Sequence, residues 1–254
     1  MTRKAIFFVS ILLLAMNTNT AHADWGSVLD KLKEDGKTLL DKSSTSSTAN
    51  EELNIDTITS GLKEALIVGS KKAIAEVSKS GGYLDNAKIR IPLPPQVEKA
   101  GSLMRQFGMS SLADNFETSM NRAAEKAAPK AADILIEAIK NMSISDARDI
   151  LKGSDDAATK YFQQHTSDKL RSLFKPTIDE TLDEVGSTRY YNELSDKVSD
   201  IPVVGQNLNV NLPDYVTEQA LNGLFTMLAS EEKKIRENPA SRTTELLKSV
   251  FSNQ

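Results

Sequence analysis

The chain has 254 residues, with 31 Lys and Arg against 35 Asp and Glu, and no cysteine. That length supports one sizeable core, and the mild acidity weighs against a general binder of nucleic acid or anionic membrane, since both select a basic face. Without cysteine there is no disulfide, no thiol catalysis, no thiolate metal site and no lipid-modified cysteine anchor.

Arg3 and Lys4 precede an apolar run from Ala5 to Met16, and Ala21-His22-Ala23 follows as a small-x-small motif. The run is shorter than the ~20 residues a membrane span needs. Residues 1–23 therefore read as a secretory signal peptide cut between Ala23 and Asp24. The expected location is a bacterial periplasm, with no integral membrane segment in the mature chain. Trp25, Val28, Leu29 and Leu32 give one apolar face to an amphipathic helix within 24–42. Ser43 to Asn50 opens a Ser/Thr-rich linker over 43–54, composed like a flexible tether. A single helical domain is expected over 55–254.

Within that domain Ile58, Leu62, Leu66, Ala73 and Val77 form one stripe, and Ile67, Val68 and Ile74 add a second. A helix apolar on so many sides belongs at the centre of a core. Gly81-Gly82 ends it. A second helix opens after Pro94-Pro95 and stops at Gly108. Ser111 and Asp114 read as the cap of a third. Pro129 either kinks the alanine-rich stretch or opens the next helix. Ser145 to Lys152 is a short helix closed by Gly153, and Ser154-Asp155-Asp156 caps another. Further helices are expected at Pro176–Val185, Thr188–Val198, Asp214–Glu237 and Thr243–Phe251. Two stretches alternate with period two: Ile89, Ile91 and Leu93, and Leu208, Val210 and Leu212. These predict short extended arms with one buried face, kept out of any central strand by Pro92, Pro94 and Pro95. The fold class is all-α, a single bundle of about nine helices with two extended arms.

Chemistry-bearing residues are few. His165 follows Ala158, Tyr161 and Phe162 at helical spacing and is expected to be a core histidine with a hydrogen bond. One histidine after the signal, with no cysteine, leaves no common zinc, copper or haem set, and neither a Glu-x-x-His pair nor a calcium loop occurs. No metal and no cofactor are expected. Asp155 and Asp156 fit a helix start, where the macrodipole favours negative charge. Glu117, Asn121 and Glu125 line up at i, i+4 and i+8 with Arg122 beside them, which as a default is a solvated helix face. The small neighbours Ala123, Ala124, Ala127 and Ala128 let another element approach, and Arg90 on the first arm could then pair with these carboxylates as a buried ion pair. The charged run Glu231 to Arg242 reads as a solvated end.

Several stretches resemble a bacterial family of exported domains, catalogued as domain of unknown function 4197. They are GGYLDNAKIRIPLPP (81–95), SMNRAAEKAAP (119–129), GSDDAATKYF (153–162), DYVTEQALNGLF (214–225) and EEKKIRENPASRTTELLKSVF (231–251). The resemblance implies a helical fold and carries no catalytic residues. The functional expectation is a soluble, non-catalytic periplasmic protein binding an envelope protein or amphiphile, not nucleic acid. The alternatives are a binder of a small apolar or lipid-like ligand between helices, or an enzyme using the carboxylate–arginine cluster. The candidate binding residues are Arg90, Glu117, Asn121, Arg122, Glu125 and His165.

Overall fold

A computed structural model describes residues 55–106, 110–198 and 210–237, together with the helical residues Asp30, Lys31, Lys33 and Glu34. The signal segment, the linker, Gly108, residues 207–209 and the expected helix Thr243–Phe251 lie outside the described residues. The regular elements among the described residues are all helical, with no strand among them. The elements are α1 (Ile55–Ser78), α2 (Pro95–Gln106), α3 (Ser110–Ala127), a 3-10 turn (Ala128–Lys130), α4 (Ala131–Asn141), α5 (Ile144–Lys152), α6 (Ala157–Glu184), α7 (Ser187–Val198) and α8 (Leu212–Glu237).

The two stripes of α1 make it central: from 57 to 70 it has no exposed residue. It packs against α3, α4, α5 and α8, while α6 runs beside α8 and α3. Gly69 lies in the α1–α8 contact, where a Cβ would sit 3.3 Å from the Ile235 side chain. The continuous core includes Ile67, Phe116, Leu135, Phe162, Phe174 and Leu224. After α1 the chain turns sharply. Gly81 adopts φ +81°, and Gly82 sits where a Cβ would strike the Glu76 carbonyl oxygen at 2.4 Å.

Several helix boundaries differ from the sequence reading, each for a local reason. Ser111 does not cap α3; it is the second helical residue, and Asp114 turns to Arg105 at 3.3 Å. Helix α5 begins at Ile144, because Ser143 and Asp146 form a reciprocal capping box. Pro129 opens α4 through the 3-10 turn. Pro176 starts no helix. It lies inside the continuous α6, and both it and Ser172, whose carbonyl loses its helical donor, lie on the exposed side where water can serve.

In the first alternating stretch Ile89, Ile91 and Leu93 are buried while Lys88, Arg90 and Pro92 are exposed, as period two predicts. Ile89 closes a turn on Asn86, and residues 90–94 have no regular secondary structure. Leu212 begins α8 instead of ending an arm.

Candidate functional site

Glu117, Asn121 and Glu125 occupy one face of α3 and all turn toward the 81–93 loop. The face is covered, not solvated: Asn121 is fully buried and the two carboxylates nearly so. The Asn121 side chain mimics a peptide group. Its Oδ1 accepts the Ile91 N–H at 2.9 Å, and its Nδ2 donates to the Ile91 carbonyl at 2.8 Å. The same Nδ2 reaches the Glu117 carbonyl at 2.8 Å. An irregular backbone with no strand beside it thus has its buried N–H and C=O satisfied by one amide.

Glu125 holds the other end of the loop. Its Oε1 accepts the backbone N–H groups of Tyr83 and Leu84 at 3.2 and 3.3 Å, and its Oε2 accepts from Arg122 at 2.6 Å. Tyr83 is fully buried and donates its hydroxyl to the Ala220 carbonyl at 2.7 Å. Burial, and then the Glu125 charge, push the Tyr83 hydroxyl well above its ordinary pKa, so it remains a donor. Gly223 makes room for the ring, since a Cβ there would lie 2.5 Å from it. At the far end the Tyr215 hydroxyl donates to the Pro92 carbonyl at 3.1 Å. Burial, followed by the charges of Glu117 and Glu98, raises its pKa.

Arg90 pairs with Glu117, Nε to Oε1 at 2.6 Å, but its side chain is 48% exposed against 11% for Glu117. The expected buried ion pair is therefore half in water. Arg105 shares the same carboxylate at 3.6 Å while also meeting Glu98 and Asp114. The structure brings Arg90, Glu117, Asn121, Arg122 and Glu125 together around the loop.

His165 stands apart from that group and is not a core residue. It is exposed on α6, 4.3 Å from the Tyr161 ring, and faces the charge of Asp146. The buried line of α6 runs through Ala158, Phe162, Thr166 and Leu170, which leaves position 165 on its edge.

A second buried charge was hidden in the run read as solvated. Glu232 and Glu231 are buried. The Glu232 carboxylate accepts the Ala158 and Thr159 N–H groups and the Thr159 hydroxyl, all at 2.9 Å. It thereby caps α6 from a distant helix. Asp156, the residue before α6, makes no side-chain cap and instead takes the Ser154 hydroxyl and Lys160, which lower its pKa. Arg236 grips Glu232 at 2.9 Å and donates to the Ile150 carbonyl at 2.8 Å, tying the end of α5 to the start of α6. The available signal was position: Leu221, Leu224, Leu228 and Ile235 form the buried stripe of α8, and Glu232 fills the gap in it.

Beside this pair lies a small recess with a cavity volume of about 20 Å³, lined by Ala65, Leu66, Gly69, Phe162, Leu228 and Ile235 among others. No group of three or more metal-ligating side chains converges among the described residues, and no described helix is long and apolar enough to cross a membrane.

Fold and site together define an all-α bundle whose central polar groups clasp one of its own loops. The chain matches the family described as "Protein of unknown function (DUF4197)" over residues 52–252, and it belongs to that family. Comparison with curated proteins and with solved structures gives no match.

Proposed function

We propose that this is an exported, non-catalytic helical protein that acts by binding an envelope partner, a protein or an amphiphile and not nucleic acid. The observation that supports this best is the commitment of the polar cluster. Both Glu125 oxygens and every hydrogen-bonding atom of the Asn121 side chain are engaged within the chain. A substrate could recruit them only by releasing the loop, so the enzyme reading gets little support. The apolar-ligand reading gets little more, because the recess has a cavity volume of about 20 Å³, room for about one water molecule and far below the roughly 300 Å³ at which ligand pockets begin. In this reading cleavage falls between Ala23 and Asp24, the helix within 24–42 is tethered by 43–54, and the domain 55–254 holds about nine helices and the two extended arms.

Native mass spectrometry of the protein isolated from its own envelope fraction tests it. The expected result is a partner retained at fixed stoichiometry and an N-terminus at Asp24. A small polar molecule retained by wild type and lost in Glu117→Gln would favour the enzyme, and an intact Met1 in the exported pool would refute cleavage.

A further inference from the structure

We infer that the recess beside Glu232 is the binding site of one ordered water molecule, held by Ser70, Thr159 and Glu232, which joins the middle of α1 to the first turn of α6. This is independent of the partner reading.

The recess is a product of small side chains. Ala65 and Gly69 line it from α1 and Ala158 from α6, while Leu228 and Ile235 close it from α8. Its volume of about 20 Å³ exceeds the ~10–15 Å³ that a water needs and leaves no room for a larger ligand.

A recess of that size stays dry when its walls are wholly apolar. Here three lining residues are polar: Ser70, Thr159 and Glu232. Ser70 is 1% exposed, and its hydroxyl oxygen has no hydrogen-bond partner among the described residues. Other helical hydroxyls in the bundle behave differently. Ser78, on the same helix, donates to the carbonyl four residues back at 2.6 Å, and Thr166, Ser172 and Thr181 do likewise. Ser70 does not use the Leu66 carbonyl in this way, and a buried hydroxyl left without any partner is costly.

The other two polar groups have the complementary capacity. Thr159 donates its hydroxyl to Glu232 Oε2 at 2.9 Å, and that hydroxyl oxygen can still accept. Oε2 takes the Thr159 N–H as well and has capacity for a third donor. A water here donates to Thr159 Oγ1 and Glu232 Oε2 and takes the Ser70 hydroxyl, which makes three bonds, the usual number for a buried water. The charge balance selects a neutral molecule. Glu232 is matched by Arg236 at 2.9 Å and by the positive end of α6, which disfavours a second cation. Its own charge turns away an anion.

A crystal structure of the full chain, at a resolution that places waters, tests this. One peak is expected within hydrogen-bond distance of Ser70 Oγ and of Thr159 Oγ1 or Glu232 Oε2. In solution, the Ser70 Hβ and Thr159 methyl protons should show nuclear Overhauser contacts to a long-lived water. Ser70→Ala and Thr159→Val should also be coupled through that water, so that the Tm loss of the double variant falls several degrees short of the sum of the single losses. The two wild-type readouts stand whether or not the variants fold. A recess without density would overturn the inference, as would a Ser70 hydroxyl turned onto the Leu66 carbonyl, or additive Tm losses. Density with the short contacts of a coordinated cation would overturn it in favour of an ion site.

Discussion

Replacing Asn121 with Leu tests whether the loop depends on a single side-chain amide. Leucine is similar in size, so the change removes hydrogen bonds more than volume. The Ile91 N–H and C=O, on a residue with no exposed surface, lose their partners at 2.9 and 2.8 Å. The Glu117 carbonyl keeps its helical partner. Each orphaned buried group costs about 1–3 kcal/mol. Burial of the added apolar surface offsets about 1 kcal/mol. The net loss is about 3 kcal/mol, a large share of a typical total of ~5–15 kcal/mol. In a domain of this size that lowers Tm by roughly 6–12 °C. Urea unfolding followed by circular dichroism gives the magnitude, and amide exchange at Ile91 gives the location, since that proton should lose its protection. Asn121→Asp adds a directional check. A carboxyl there is buried between Glu117 and Glu125, so its folded pKa rises above the unfolded value, and the destabilisation must grow as pH rises from acid to neutral. A loss below about 0.5 kcal/mol for Asn121→Leu, the range of ordinary surface changes, would refute the clasp.

Glu232→Ala should cost about 3 kcal/mol or more, because it leaves Arg236 without its carboxylate and uncaps α6; faster amide exchange at Ala158 and Thr159 should accompany the lower midpoint. Arg90→Met should cost less than about 1 kcal/mol, since Arg90 is half exposed and Arg105 also faces Glu117; a 3 kcal/mol loss in chemical unfolding would mean the pair is buried after all. Ser143→Ala should cost about 1 kcal/mol at neutral pH. The Ser143 backbone N–H and hydroxyl hold Asp146 below its ordinary value, so their contribution is full above the unfolded pKa near 3.9 and fades as pH falls through the lower folded value. The gap between wild type and variant should therefore narrow under acid, and a gap that widens there would contradict the assignment.

Periodicity made the architecture legible where burial is decided along one helix. The two stripes of α1 mark it as central, and the alternation at Ile89–Leu93 states which side of that loop faces inward. The polar cluster was half legible. Spacing placed Glu117, Asn121 and Glu125 on one face, and the alanines beside them signalled a close neighbour. Their task was not legible, because holding an irregular backbone depends on where the loop comes to rest. Glu232 was missed because it lies in a run of charges, where local composition outweighs a single place in an apolar stripe. Pro176 shows the converse: a residue that usually ends helices is accommodated because its side of α6 faces water.

The cap on α6 has a kinetic consequence. The first N–H groups of that helix wait for Glu232, more than 70 residues later, and the Tyr83 hydroxyl waits for Ala220, 137 residues away. A chain emerging from its N-terminus cannot complete either contact until α8 has arrived. Each closes a long loop, which slows the approach to the native topology. A half-made bundle would keep an uncapped α6 and a loop held only by Asn121 and Glu125, with the Tyr83 hydroxyl still without its acceptor. The last described helix to be synthesised thus sets the moment at which the fold becomes committed.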